Sequence, residues 1–501
     1  MRPRFGEIAL LALATAIPLG AILGNWTPLL RGPAPYPPEW QWPLRAGPTS
    51  GHWLGAAAAA AGVLLLIAFT ATATARRHPR RTARVALAGA ILLGWGFGLG
   101  LLALEPEGAL RSLLSRTLSR TINSYYTVAV SSEAHDPREF LARHAELLPV
   151  LRKTAKHAAT HPPAPVLYYR GLIGLCEASP RLTEVVLRAA SVETVERPDS
   201  RHTPASRAAA ILGGLWFGLL AAATAWPIAA LARRLGCGDL AAARVGLVWV
   251  LVPGPLLFTP QFDQALALPV ALATAAAMAA MAKETPARPS IVLSLLAGAA
   301  AGVAFSFSYG AAAFLALAGA AALAASREPS RGASRGLRVT ALAALGALLV
   351  LAVPVAFGHQ PVQAARTALA IHREVYTAPR SYSLWLAFNP ADLAVFLGVP
   401  LAILAAARTS ASLEVAMRRG LAALSSADRF RLALGAGLLL LLVSGTVRGE
   451  TGRLLIPLMP LCLLAGLAAG GDRDQPRPAL AATLGLCLAV LAFALRVRWE
   501  L

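Results

Sequence analysis

Three ionisable residues lie close together between two long apolar runs near the C-terminal end of the chain. Residues 444–460 read SGTVRGETGRLLIPLMP and contain Arg448, Glu450 and Arg453. Charged side chains at the edge of a membrane are costly to keep there and therefore indicate function. Because the planar fork of arginine matches phosphate oxygens, we expect both arginines to bind the phosphate of a lipid, with Glu450 orienting one guanidinium. The alternative is an ion pair that only caps a helix.

Carboxylates that could act as a general base lie in two other segments. Glu105 and Glu107 follow an apolar run in ALEPEGALRSLLS, and Asp263 lies in FTPQFDQ, just before another run. A carboxylate within hydrogen-bond reach of a reacting hydroxyl can accept its proton. Asp263 could instead be the N-cap of the helix that follows, and Asp136 in HDPREFL is interpreted as the N-cap of a surface helix.

Aromatic, histidine and amide side chains in the same polar segments could line such a site. His161, in HAATHPPAPVLYYRG, could contact a ligand or could simply begin a helix together with Pro162 and Pro163. His157 is interpreted as a solvated loop histidine, and because no third ligand is evident we expect no metal. The tyrosines could also be interfacial packing residues. The residues expected to line the site are Tyr125, Tyr126, His161, Arg170, His372, Tyr382 and Asn389.

The composition excludes a soluble protein. The chain has 501 residues, of which 56% are hydrophobic and only 14% are charged, and its mean hydropathy is +0.59. The net charge of +21 comes from short basic tracts between apolar runs, without interleaved aromatic residues, so we expect no nucleic-acid partner. Cys462 and Cys487 lie in apolar runs, Cys237 in a basic loop and Cys176 in a polar region, so neither a disulfide nor a metal cluster is expected.

Thirteen apolar runs predict an all-α polytopic membrane protein. Basic residues collect in every second connection, which places the N-terminus inside and the C-terminus outside. The first run lacks a clear signal-peptidase site and is interpreted as a transmembrane helix. The alanine- and arginine-rich composition suggests a bacterial cytoplasmic (inner) membrane. The runs are 7–24, 53–74, 84–104, 207–232, 241–258, 264–282, 289–306, 309–326, 337–357, 393–408, 429–446, 454–470 and 479–495.

One long connection, 105–206, is expected to form a large extracytoplasmic loop. Its segment 161–176 is apolar but short for a membrane span, and letting it cross would place Arg233 and Arg234 outside. We therefore predict an interfacial helix that begins at the two prolines and lies along the membrane. The Pro- and Trp-rich segment 25–52 is predicted to be an irregular loop with interfacial aromatic residues.

The ordered set of these features resembles the GT-C superfamily of membrane glycosyltransferases, in particular protein O-mannosyltransferases and aminoarabinose transferases. The features are a long outer loop ending in His161-Pro162-Pro163, a short outer turn with Asp263, and the late arginine-containing turn RGETGR. The resemblance covers roughly 84–470. It implies a GT-C-like core with 1–83 as an added hairpin and 471–501 as a C-terminal helix. One departure is that Glu105 and Glu107 stand where many members have aspartate.

The resemblance implies an inverting transfer of a sugar from a polyprenyl-phosphate donor to an acceptor hydroxyl on the extracytoplasmic face. The acceptor would be a glycan, a lipid or a protein, and the partners would be membrane lipids. No nucleotide or redox cofactor is expected, since the chain has no P-loop or Rossmann fingerprint, and the need for a divalent metal stays open. Two alternatives remain: a non-catalytic lipid-binding scaffold of the same fold, and a secondary transporter, although no paired interrupted helices are evident.

Overall fold

The computed structural model describes residues 5–35, 38–45, 53–192, 202–326, 332–468 and 476–496. Within these ranges the chain forms α-helices joined by turns, with no β-strand, so the predicted all-α class is confirmed. The helices are α1 Phe5–Leu23, α2 Leu54–Phe69, α3 Ala73–Arg77, α4 Pro79–Leu102, α5 Ala109–Leu118, α6 Ser124–Ala129, α7 Pro137–Thr154, α8 Ala164–Ala178, α9 Pro180–Ala189, α10 Pro204–Ala223, α11 Ala225–Arg234, α12 Asp239–Trp249, α13 Pro253–Leu257, α14 Asp263–Met281, α15 Ala287–Phe307, α16 Ala311–Ser326, α17 Gly332–Ala356, α18 Pro361–His372, α19 Tyr382–Leu397, α20 Val399–Arg419, α21 Ser426–Val443, α22 Thr451–Leu454, α23 Met459–Leu467 and α24 Pro476–Arg496.

Six helices among the described residues are long and apolar enough to cross a membrane. This supports the prediction of a membrane protein, while the number of thirteen spans stays a prediction. Shorter apolar helices occupy Leu54–Phe69, Ala311–Ser326, Ile456–Leu467 and Ala482–Leu495. The six long helices are Pro79–Leu102, Pro204–Arg234, Asp263–Met281, Ala287–Phe307, Ser334–Ala356 and Val399–Arg419.

Several of the predicted runs are not single helices, and two of them are broken at a proline or a glycine. The run 241–258 is broken because α12 ends at Trp249 and Pro253 begins the short α13; proline cannot donate the backbone hydrogen bond that would continue the first helix. The run 393–408 is divided by Gly398, whose φ of +96° ends α19 and allows α20 to begin at Val399. Hydropathy alone did not reveal either break.

The long connection after α4 is itself helical. Helices α5 to α9 fill residues 109–189, and its continuation to α10 includes 193–201, which lie outside the described residues. The predicted helix at 161–176 is present as α8, and Pro163 is its N-cap. Asp136 caps α7 as predicted, since its Oδ1 accepts a hydrogen bond from the Arg138 amide at 2.8 Å. The core of this region contains Tyr126, Phe140 and Tyr169, all almost fully buried.

Helices α15 and α17 cross at very short range through small residues. A Cβ atom on Gly298 would lie 1.8 Å from the Ala343 carbonyl oxygen, and one on Gly346 would lie 2.2 Å from the Leu295 carbonyl oxygen. Such backbone contact is typical of helix pairs in membranes. The pair leaves apolar side chains such as Leu296 and Leu349 exposed on its outer surface, which is the composition expected of a surface that faces lipid.

The segment between α1 and α2 packs into the protein rather than along an interface. Trp40 and Trp42 are 5% and 6% exposed, whereas Trp26 is 74% exposed. The expectation of interfacial aromatic residues in this loop is therefore wrong for Trp40 and Trp42. The reason is that Phe258 and Phe396, both far away in sequence, form the aromatic surface that receives the Trp42 ring, at centroid distances of 5.4 and 5.2 Å.

Candidate functional site

The turn between α21 and α22 carries Arg448 and Glu450, and Arg453 lies in α22 directly after it. Gly445 and Gly449 have φ values of +67° and +88°, and Glu450 has a φ of +56°. A left-handed conformation is unfavourable for a residue with a side chain and persists where the surroundings impose it. The turn is therefore irregular. Gly452, by contrast, lies in α22, and its role is spatial: a Cβ there would be 1.9 Å from Cδ2 of Phe396.

Glu450 lies between two arginines. Its Oε1 accepts a hydrogen bond from Arg380 Nη2 at 2.9 Å, and its Oε2 is 2.7 Å from Arg453 Nη2. All three side chains are about nine-tenths buried. Glu450 thus holds a guanidinium, as predicted, and its partners are Arg453 and Arg380, the second of which was not among the predicted site residues.

The ion pair leaves hydrogen-bonding capacity unused. The contact between Glu450 Oε2 and Arg453 Nη2 is short but poorly aligned, so Oε2 and Arg453 Nε each lack a hydrogen-bond partner among the described residues. A buried polar atom without a partner is costly, and in a native protein it calls for an explanation such as a ligand. The described residues thus leave one donor of Arg453 and one acceptor of Glu450 without a hydrogen bond.

Electrostatics keeps these groups charged. Desolvation acts to raise the pKa of Glu450, but Arg453 and Arg380 outweigh it and bring that pKa down to about 2. Desolvation acts to lower the pKa of Arg453, but Glu450 and then Asp263 outweigh it and hold the pKa above its ordinary value. Arg380, Glu450, Arg453 and Asp263 thus form one buried, electrostatically coupled cluster.

Histidine and tyrosine side chains form the rest of the wall around Arg453. The Tyr125 ring lies edge-on to His161 at 5.3 Å, and Tyr376 stacks on His157 at 5.7 Å and lies 5.5 Å from His372. Tyr125 and Tyr376 both interact electrostatically with Arg453. We call this group the polar recess; it consists of Tyr125, His157, His161, Asp263, His372, Tyr376, Arg380, Glu450 and Arg453.

The histidines are neutral in the polar recess. Desolvation is the main cause that lowers the pKa of His157 to about 4 and that of His161 to about 3, and it also lowers the pKa of His372. Yet all three rings are only half-buried. Protein therefore surrounds these side chains in part, and solvent reaches the remainder. Because the His157 ring stacks on Tyr376 and its Nε2 lies 3.1 Å from the Thr121 carbonyl oxygen, His157 is partly enclosed by protein rather than simply solvated as expected.

Asp263 is the one predicted carboxylate base that the fold brings to the recess. It is 7% exposed and interacts with Arg453. It is the first residue of α14, and the N-cap of that helix is Phe262. The alternative role of Asp263 as an N-cap is therefore wrong.

The two glutamates after α4 lie elsewhere. Both carboxylate oxygens of Glu105 accept hydrogen bonds from Arg45, at 2.9 and 2.7 Å, and Oε1 also accepts one from Arg116 at 3.1 Å. Glu107 is exposed and accepts a hydrogen bond from Ser115 at 2.6 Å. An arginine-bound carboxylate and a solvated one are both poorly placed to act on a substrate held at Arg453.

Arg448, Tyr382 and Asn389 stabilise the turn between α21 and α22. Arg448 donates to the carbonyl oxygens of Gly445, Thr377 and Arg380, at 2.8 to 3.2 Å, and its guanidinium lies 5.5 Å from the Tyr382 ring centroid. Asn389 donates to the Val447 carbonyl at 2.8 Å and accepts from the Gly449 amide at 3.3 Å. These contacts favour a structural role for Arg448.

Two other predicted lining residues lie outside the polar recess. Tyr126 is fully buried and donates to the Ser206 carbonyl at 2.9 Å, within the core of α6, α8 and α10. Arg170, on α8, pairs with Glu177 at 3.6 Å. Sequence reasoning missed Tyr376 and Arg380, and the only signal available was the polar composition of 371–393, which marks the segment but not these two residues.

An apolar groove of about 710 Å³ begins beside the recess. Its walls come from α15 and α17, and its end is formed by Leu141, Pro162, Pro163 and the connection after α17. Pro162 directly follows His161, and the His161 ring lies 5.4 Å from Phe262. The groove and the recess therefore meet at the His-Pro-Pro segment. Exposed apolar residues along the groove, including Val292 and Val353, open it toward lipid.

The described residues contain no group of three histidine, cysteine, aspartate or glutamate side chains that could hold a metal ion. Comparison with protein-family models, with curated proteins and with solved structures produced no match. The function proposed below therefore depends on the geometry of this chain and on the residue patterns described above.

Proposed function

We propose that this protein transfers a sugar from a polyprenyl-phosphate donor to an acceptor hydroxyl at the polar recess. The observation that carries the proposal is a buried arginine, Arg453, with an unpaired Nε, in a recess whose His161 directly precedes the Pro162 that lines an apolar groove. A lipid-linked phosphate needs a cation for its head and an apolar path for its chain, and the recess and the groove offer both.

The proposed reaction uses two members of the recess. The acceptor oxygen forms a bond to the anomeric carbon while the bond from that carbon to the phosphate oxygen breaks. Asp263 accepts the hydroxyl proton. The negative charge that develops on the leaving polyprenyl phosphate is stabilised by Arg453. Glu450 holds Arg453 in place, and the neutral histidines leave the local charge to the arginines and carboxylates.

The groove also favours this proposal over a secondary transporter. A transporter places its substrate site near the middle of the membrane, between helices interrupted in two matching halves. Here the apolar groove leads to a polar recess built largely from connections between helices, at the end of α15 and α17 that the topology prediction places outside. A lipid-binding scaffold would share this geometry, so it is separated from an enzyme only by a transfer assay.

The proposal is tested with purified protein and a synthetic polyprenyl-phosphate sugar. Arg453→Lys should weaken donor binding about tenfold or more, because a charge-assisted hydrogen bond contributes about 1.5–3 kcal/mol and lysine cannot replace the bidentate fork. Asp263→Asn should bind the donor like the parent but transfer no sugar. Arg170→Lys, a partly buried arginine outside the recess, is the matched control.

Two results would contradict the proposal in different ways. If the parent binds the polyprenyl-phosphate sugar no better than a neutral polyprenol, the recess does not recognise a phosphate. If the parent binds the donor but transfers no sugar to any of a panel of lipid, glycan and peptide hydroxyls, the chain is a lipid-binding scaffold.

A further inference from the structure

The segment that joins α1 and α2 is connected, directly or through other side chains, to the elements that carry the charged residues of the recess. It is folded by its own contacts: Gln41 Nε2 donates to the carbonyl oxygens of Pro28 and Gly32, both at 2.9 Å, and the Trp42 amide donates to the Arg31 carbonyl, also at 2.9 Å. A segment with this internal structure can present side chains in fixed positions. Three of them, Glu39, Trp42 and Arg45, make the contacts described next.

Glu39 binds the beginning of α19. It is 5% exposed, its Oε1 accepts a hydrogen bond from the Ser381 amide at 2.8 Å, and its Oε2 accepts one from Trp385 Nε1 at 2.7 Å. Ser381 is the N-cap of α19 and directly follows Arg380. A carboxylate at a helix N-terminus is favourable. Glu39 therefore fixes the backbone next to one of the two arginines that contact Glu450.

Trp385 extends this contact to the charged turn. A Cβ atom on Gly449 would lie 3.0 Å from the Trp385 ring and 2.6 Å from Arg380 Nη1. The Trp385 ring thus lies directly against the residue before Glu450. By accepting the indole hydrogen bond, Glu39 sets the orientation of the ring on which the turn packs.

Trp42 acts on the other side of the same turn, through Asp392. Its Nε1 donates to Asp392 Oδ1 at 3.1 Å, and Asp392 Oδ2 accepts a hydrogen bond from the Gly452 amide at 2.8 Å. Gly452 directly precedes Arg453. The Asp392 carboxylate thus connects the indole of Trp42 to the backbone next to Arg453, the residue proposed to bind the phosphate.

Arg45 connects the segment to the element that carries Asp263. It binds Glu105 through two hydrogen bonds, Glu105 binds Arg116, and Arg116 Nη1 donates to the Thr259 carbonyl at 3.0 Å. Thr259 begins the short turn that leads to Asp263, and its hydroxyl donates to Gln264 Oε1 at 2.9 Å. The buried ion pairs of Glu105 with Arg45 and Arg116 therefore help to fix the position of this turn, and this is the role of Glu105.

We propose that Glu39, Trp42 and Arg45 are positioning residues of the polar recess, acting through Trp385, Asp392 and Glu105 respectively. The N-terminal segment is then part of the working site rather than an addition to it. This inference rests on the proposed function, since it concerns how Arg380, Arg453 and Asp263 are held for a phosphate-linked substrate.

The test compares the affinities of the full-length protein for a polyprenyl phosphate and for the neutral polyprenol of the same chain length. The ratio of these affinities measures phosphate recognition and is not changed by a general loss of folded protein. Trp42→Phe keeps an aromatic ring and removes the donor to Asp392, and it should lower the ratio about three- to tenfold. Glu39→Gln should lower the ratio in the same direction. Trp26→Phe, at an exposed tryptophan, is the matched control and should keep the parent ratio.

A double-variant cycle identifies the route. If Trp42 acts through Asp392, then Trp42→Phe combined with Asp392→Asn should lower the ratio no further than Asp392→Asn alone. Parent-like ratios in folded Trp42→Phe and Glu39→Gln proteins would overturn the inference. A parent protein that does not distinguish the phosphate from the alcohol would overturn the proposed function, and the inference with it. The two failures are therefore distinguishable.

Discussion

Replacing Glu450 by glutamine should destabilise the folded protein and change how its stability depends on pH. Glutamine has nearly the same size, but it removes the negative charge between Arg380 and Arg453, whose nitrogens lie 2.9 and 2.7 Å from the carboxylate. The two guanidinium groups would then be buried with a single carboxylate of the recess, Asp263. Two like charges at close range without full compensation raise the free energy of the folded state.

Two independent estimates give the size of the effect. The pKa of Glu450 falls from its ordinary 4.5 to about 2, and such a change corresponds to about 3 kcal/mol of folding free energy. Removal of one partner from a buried ion pair costs about 3–5 kcal/mol. We therefore expect Glu450→Gln to lose about 3 kcal/mol at neutral pH, visible as a thermal midpoint lower by roughly 3 °C.

The sign of the pH dependence is fixed by the direction of the shift. Because the folded pKa lies below the unfolded one, the contribution of Glu450 is complete above about 4.5 and is lost as the pH falls toward 2. Thermal unfolding in detergent at pH 7 and pH 3 should therefore show a gap between parent and Glu450→Gln that narrows at the lower pH.

The matched control is Glu107→Gln, which removes an exposed carboxylate. It should change the thermal midpoint little at either pH. Equal midpoints for the parent and Glu450→Gln at pH 7, or a gap of constant size down to pH 3, would show that the charge of Glu450 does not stabilise the folded protein.

Three further predictions concern packing, protonation and topology. Gly452→Ala should lower the thermal midpoint, because its Cβ would lie 1.9 Å from Phe396, whereas Gly174→Ala on α8 has no heavy atom within 4 Å of the new Cβ and should not; equal midpoints would contradict the packing. The parent should lose stability as the pH falls from 6.5 toward 4, because the lowered pKa of His157 means that the unfolded chain takes up a proton first, and His157→Gln should make that loss smaller. The same dependence of stability on pH in parent and variant would argue against the burial of His157. In intact cells, Arg188→Cys should react with an impermeant thiol reagent and Arg233→Cys should not, with low background because the four native cysteines are buried; labelling of position 188 only after permeabilisation would reverse the topology.

The sequence by itself determined the class of protein and several local structures. Long apolar runs can only be satisfied in a membrane as helices, because a helix pairs its own backbone groups. The start of α8 after Pro162 and Pro163 and the N-cap at Asp136 were both predicted, because each depends on residues close together in the chain. Helix caps and turns can be predicted from the sequence because the residues that form them are neighbours in the chain.

The tertiary structure alone decided which polar residues meet. Glu105 has the residue type of a base, but Arg45, which is 60 residues away, occupies both of its oxygens. Glu450 was expected to orient an arginine, and one of its partners, Arg380, comes from another segment 70 residues earlier. Such pairings have no period or spacing in the sequence, because helix packing brings the segments together and burial then determines which charges must find partners.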